Sequence, residues 1–128
     1  MKRWVFVIGI FLALISASSC GTENRTASAK AISIGEQVLE TVDGYLDGTI
    51  SYDRSKEKIN SLLTDMNYLD DQTTENDHCI ADKSIRTSIS SISTSLTYDN
   101  FKNDSDSYDR LLEHRNNLAE KIGEKKHN

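Results

Sequence analysis

Residues 78–98 read HCIADKSIRTSISSISTSLTY, and whether they form a strand or a helix decides the fold. Serine and threonine are mediocre helix formers, so a run this rich in them invites a strand reading. A half-buried strand, however, needs apolar residues at every second position. Ile85 and Ile89 share a parity that Ile92 breaks. Ile85, Ile89, Ile92 and Leu96 step instead by four, three and four, which is the spacing of one helical face. The segment is expected to be a helix.

The stretches on either side carry the same period. A first helix is expected from about Ser28 to Leu46, with Ile34, Val38, Val42 and Tyr45 in one stripe and Leu39 and Leu46 beside it. Gly48 stops it, because glycine adopts the left-handed conformation that follows a helix. A second helix starts near Ser51, whose hydroxyl can accept a free N–H of the first turn. Ile59, Leu62, Leu63, Met66 and Leu69 give its buried face, and DDQTTEND at 70–77 reads as a loop. Beyond the quoted stretch, a connector around DNFKND (99–104) leads to a fourth helix capped near Asp104 or Ser105. Tyr108, Leu111, Arg115, Leu118 and Ile122 mark its inner edge, with Leu112 and Ala119 alongside. Lys121, Lys125 and Lys126 fall at its end, where cations suit the helix dipole.

The chain has 128 residues, no proline and six glycines, which favours helices joined by short turns over a many-stranded fold. None of the amphipathic stripes is stable alone, so the helices must bury their faces against one another. Short connections make neighbours antiparallel. The expected fold class is mainly α: a small antiparallel up-and-down bundle of three or four helices over residues 29–126.

The first 19 residues stand outside that bundle. Lys2 and Arg3 precede an apolar run from Trp4 to Ile15, then small residues lead to Cys20. This is the pattern of an export signal, and the run is short of the ~20 apolar residues of a transmembrane helix. Ala17-Ser18-Ser19-Cys20 resembles the lipobox of bacterial lipoproteins, with alanine where leucine is usual three places before the cysteine. That resemblance implies removal of residues 1–19 and lipidation of Cys20. Residues 20–28 would then be a flexible tether. The same small residues also fit an ordinary signal-peptidase site. The resemblance further implies a place outside the cytoplasm, on the outer face of the bacterial cell membrane or on an outer membrane where the envelope has one. Two acyl chains suffice for stable anchoring.

Loss of residues 1–19 takes Lys plus Arg from 15 to 13 against 20 Asp plus Glu, a net charge of about −7. Such a balance disfavours nucleic acid as a partner, since phosphate contacts need clustered lysine and arginine. If Cys20 is lipidated, Cys79 has no disulfide partner within the chain and is expected to behave as a small buried hydrophobe. A Cys20–Cys79 bridge, or pairing between chains through Cys79, are the other readings.

DGYLDGTISYDR, residues 43–54, partly matches a helix–loop–helix calcium loop, with Asp43, Asp47 and Gly48 at loop positions one, five and six. The third position holds Tyr45 and the twelfth Arg54, where a bidentate carboxylate is required. A helix stop, turn and restart explain the same residues. Asp99, Asp104, Asp106 and Asp109 form a second acidic cluster, read as a solvated helix start. His78-Cys79 is an adjacent pair of potential zinc ligands, but His114 and His127 complete no ligand spacing. No nucleophile–base–oxyanion constellation can be assigned, so neither a catalytic role nor a cofactor or metal is expected.

In an up-and-down bundle tethered at Cys20, the corners at 47–51 and 98–104 lie far from the membrane, and Lys125-Lys126-His127 return towards the lipid. Asp47, Asp53, Asp99 and Asp104 would form an acidic tip suited to a basic partner. The functional expectation is a membrane-anchored lipoprotein acting as a protein-interaction or accessory module. The alternative is a ligand- or divalent-cation-binding envelope protein that uses the acidic helix-connecting loops.

Overall fold

A computed structural model describes residues 27–72, 79–98 and 105–127, and among them are four helices and no strand. The leader, Cys20 and the tether up to residue 26 lie outside the described residues, as do 73–78 and 99–104.

Ser28 starts the first helix. Its backbone is extended, at φ −64° and ψ 150°, and its hydroxyl accepts the Ala31 N–H at 3.2 Å. One of the free donors of the first turn is thereby satisfied. Helix α1 runs over Ala29–Leu46. Past Asp47 the chain turns at Gly48, whose φ of 81° is a conformation that favours glycine. The Gly48 N–H reaches the Tyr45 carbonyl at 3.1 Å and the Thr49 N–H reaches Gly44 at 2.8 Å. These paired bonds close the last turn in a Schellman arrangement.

Helix α2 spans Tyr52–Gln72, with the Ser51 hydroxyl accepting the Arg54 N–H at 3.3 Å. It continues through Asp70, Asp71 and Gln72, which the polar composition assigned to a loop. Once nucleated, a helix extends at one hydrogen bond per residue, so it can outrun its apolar stripe.

Helix α3, Cys79–Tyr98, decides the question of the serine-rich segment in favour of a helix. The Thr87, Ser91 and Thr97 hydroxyls donate to carbonyls one turn back, those of Lys83, Thr87 and Ser93, at 2.9–3.1 Å. Side chains that otherwise compete with the backbone are thus absorbed within the helix. Ile85, Ile89, Ile92 and Leu96 are all buried.

Helix α4 spans Ser105–Ile122. Leu111, Arg115, Leu118 and Ala119 face inward as expected, but Tyr108 does not: it is 43% exposed, and Ser107 is buried in its stead. Stepping back one turn from Leu111 reaches either residue. The bundle takes the register in which a small hydroxyl enters the interior and the ring meets water.

Each helix packs on the next, α4 closes against α1, and α1 also meets α3 across the middle. Two contacts fix the directions of α1, α2 and α3, and Lys121 at the end of α4, donating to Ser84 and Ser88 near the start of α3, fixes the fourth. The start of α1 meets the start of α3, where Ser28 donates to Asp82. The start of α2 meets the end of α3, where the Tyr52 hydroxyl donates to the Leu96 carbonyl. This is the up-and-down bundle. Its core holds Val38, Val42, Ile59, Met66, Ile85, Ile89, Ile92, Leu111 and Leu118. Each such side chain contributes about 1.5–3 kcal/mol on burial. No described helix is long and apolar enough to cross a membrane.

A second Schellman arrangement ends α4. Gly123 has φ 79°, and the Glu124 N–H reaches the Ala119 carbonyl at 2.8 Å. The chain therefore doubles back along α4. Lys125, Lys126 and His127 do not continue outward from the end of the bundle, as a helix running on past Ile122 would require.

Candidate functional site

Glu36, Glu40, Asp43 and Asp47 step by four, three and four along α1, so they share one helical face. The apolar stripe beside them is buried, which turns this acidic face outward between the α1–α2 corner and the returning segment 124–127. A groove of about 590 Å³ lies there. Leu39, Gly44 and Ile50 line its apolar part, the four carboxylates and Glu124 its polar part, and Arg115 is its single cation among the described residues.

Arg115 stands in the apolar stripe of α4 and is only 6% exposed. A guanidinium at such a position needs an anion beside it. Its Nε donates to Asp43 Oδ1 and its Nη2 to Oδ2, both at 2.8 Å. This is the bidentate geometry that suits a planar fork and a carboxylate. The remaining nitrogen, Nη1, donates to the Lys125 carbonyl at 2.6 Å. The charge of Arg115 is thus engaged by Asp43, while Glu36, Glu40, Asp47 and Glu124 are exposed to solvent. A cleft lined by one sign of charge raises the local concentration of the opposite sign. The groove can hold cationic groups against an apolar floor.

Residues 43–54 form the corner that borders this groove. Asp43 remains in α1, paired with Arg115, so it is not free to act as the first ligand of a calcium loop. Tyr45 packs on the core and meets Tyr52 edge to face, with ring centroids 6.2 Å apart. Burial pushes the Tyr45 hydroxyl pKa up, and the neighbouring Tyr52 adds to the shift. Arg54, where the calcium loop needs its closing carboxylate, is exposed.

Asp47 and Asp53 are exposed at this corner, but Asp99 and Asp104, the other half of the expected acidic tip, lie outside the described residues. So do Glu75, Asp77 and His78. Asp106 and Asp109 are exposed in the first turns of α4, where the dipole favours carboxylates. Cys79 opens α3. His114 lies between α3 and α4 beside Thr87 and Ser91, and His127 is joined to Asn116. Among the described residues no three His, Cys, Asp or Glu side chains are grouped to hold a metal.

The acidic stripe of α1 lies beside a stronger apolar period in the same helix and shows the same helical spacing. Arg115 was placed on the inner edge, but its partner, 72 residues away in sequence, carries no local signal. No protein-family model matches the chain, and neither curated proteins nor solved structures gave a match.

Proposed function

We propose that the protein is an extracytoplasmic lipoprotein held by lipid on Cys20, and that it acts as a non-enzymatic protein-interaction or accessory module through the acidic groove of α1. The groove carries this reading: five carboxylates surround an apolar floor, and the only lining cation among the described residues is already bound to one of them. A basic surface of another envelope protein complements it in both charge and apolar content. The leader and the Ala-Ser-Ser-Cys stretch support the anchor. A helical body capped at Ser28, a few residues beyond Cys20, suits a short tether.

A photo-cross-linking residue in place of Glu40 tests the contact in the producing cell. It is expected to join one discrete envelope protein, and the joint is expected to vanish when Glu36 and Asp47 are both changed to lysine. The same residue in place of Glu57, exposed on α2, is the control. Equal yields from both positions contradict the groove as the contact surface.

The carboxylates also favour a second reading, a small organic polycation held in the groove. A ligand specific to the folded protein raises its melting temperature. Titration with spermidine separates this reading from the first.

A further inference from the structure

Residues 124–127 run back along α4 without placing a side chain in the core: Glu124, Lys125 and Lys126 are exposed. Main-chain groups hold this segment in place. Arg115 Nη1 donates to the Lys125 carbonyl at 2.6 Å. The Asn116 carboxamide accepts the His127 N–H at 2.7 Å and donates to the His127 carbonyl at 2.9 Å. One side-chain amide thus pairs with both polar groups of a single residue, as a neighbouring strand would. Such pairing reads an extended backbone whatever side chains it carries. Charge is added at the edge, where Lys126 meets Glu120 at 3.1 Å in an exposed ion pair.

We propose that Arg115 and Asn116 form a backbone-binding strip for an extended, lysine-bearing segment of the partner protein, and that residues 124–127 occupy this strip in the free protein as an internal competitor. The proposal rests on the reading of the groove as a contact surface for a basic partner, and gives that partner a conformation. Four observations favour it. The seated segment shows how an extended chain is held. Lys126 stands on Glu120, so an incoming lysine meets the same carboxylate. The segment's edge contact is a solvent-exposed ion pair, a class that holds only weakly. Gly123 supplies the turn about which the segment can swing away.

Competition has a measurable size. If the segment is seated about nine-tenths of the time, a peptide competing for the strip binds about tenfold more weakly than to an open strip. The test compares the mature chain with the same chain ended after Gly123. Each is titrated with the capped peptide GEKKHN while the Asn116 side-chain amide is followed by NMR. The shortened chain is expected to show saturable shifts at the Asn116 side-chain amide and the Arg115 Nε–H, the full chain the same shifts with affinity about tenfold lower, and the shortened chain carrying Asn116→Ala none at Arg115 Nε–H. A shortened chain with a folded spectrum and no shifts, or binding indifferent to Asn116→Ala, overturns the proposal.

The full chain gives a second measurement that does not depend on the truncation. Saturating peptide is expected to speed hydrogen exchange at the His127 amide, and an unchanged rate also overturns the strip. No partner protein enters these experiments. Their failure removes the strip and leaves the groove reading to the cross-linking at position 40.

Discussion

Ser28 gives both its donors to Asp82, its backbone N–H at 2.8 Å and its hydroxyl at 2.7 Å. The same hydroxyl oxygen accepts the Ala31 N–H, so one serine caps α1 and ties it to α3. Asp82 has no exposed surface. A buried carboxylate is costly unless it is hydrogen-bonded, and bonds to a charged group contribute about 1.5–3 kcal/mol. Asp82→Ala is therefore expected to lower the free energy of unfolding by about 2–4 kcal/mol, as read from urea denaturation. Asp82→Asn, which retains an acceptor, should lose less.

Arg115 and Asp43 invite a double-mutant cycle. Arg115→Met strips Asp43 of its partner and releases the Lys125 carbonyl. Because the Asp43 side chain is 30% exposed, the cost should fall below the ~3–5 kcal/mol of a fully buried broken pair. About 1–3 kcal/mol is expected, with a coupling to Asp43→Asn of at least ~0.5 kcal/mol. Additive single effects would show that the two side chains do not act as a pair.

The inner edge of α4 makes an opposed pair of predictions. Tyr108→Ala should change stability by less than about 0.5 kcal/mol, because the ring faces water. Leu111→Ala, at a fully buried position, should cost about 2–5 kcal/mol. Equal large losses would restore the register in which Tyr108 points inward.

Tyr45 gives the fold a sensitivity to alkali. Its hydroxyl pKa is raised by burial first and by Tyr52 second, so the folded state holds this proton more tightly than the unfolded chain. Stability from that proton is complete below the unfolded tyrosine value of about 10 and declines as pH rises through the folded value. Melting temperatures measured from pH 9 to 11 should fall less steeply in Tyr45→Phe than in the parent. Parallel curves would show that Tyr45 is not the group involved.

These outcomes also mark what the sequence could disclose. The four helices were legible because the apolar period repeats over several turns, and this held even for α3, where serine content argued otherwise. The caps at Gly48 and Ser51 were legible because each acts within a few residues. The end of α2 was not, since a helix continues past its last apolar residue when nothing breaks it. Tyr108 was misplaced because a stripe extended by one turn has two candidate positions, and only the neighbouring helices choose between them. The doubling back after Gly123 was also hidden. It depends on Arg115 and Asn116 taking main-chain partners about ten residues later in the chain.

The groove makes a further prediction about salt. Binding of a lysine-rich probe peptide to the α1 face should weaken steadily as ionic strength rises from about 0.01 to 0.15 M, over which the screening length falls from about 30 to 8 Å. Affinity that is flat across this range would assign the contact to the apolar floor alone.

The anchor is tested most directly by the intact mass and N-terminal peptide of the protein recovered from its own cells. A mature chain that begins at Cys20 and carries a thioether-linked diacylglycerol is the predicted result. A chain still bearing residues 1–19, or one whose Cys20 thiol is free, would contradict it.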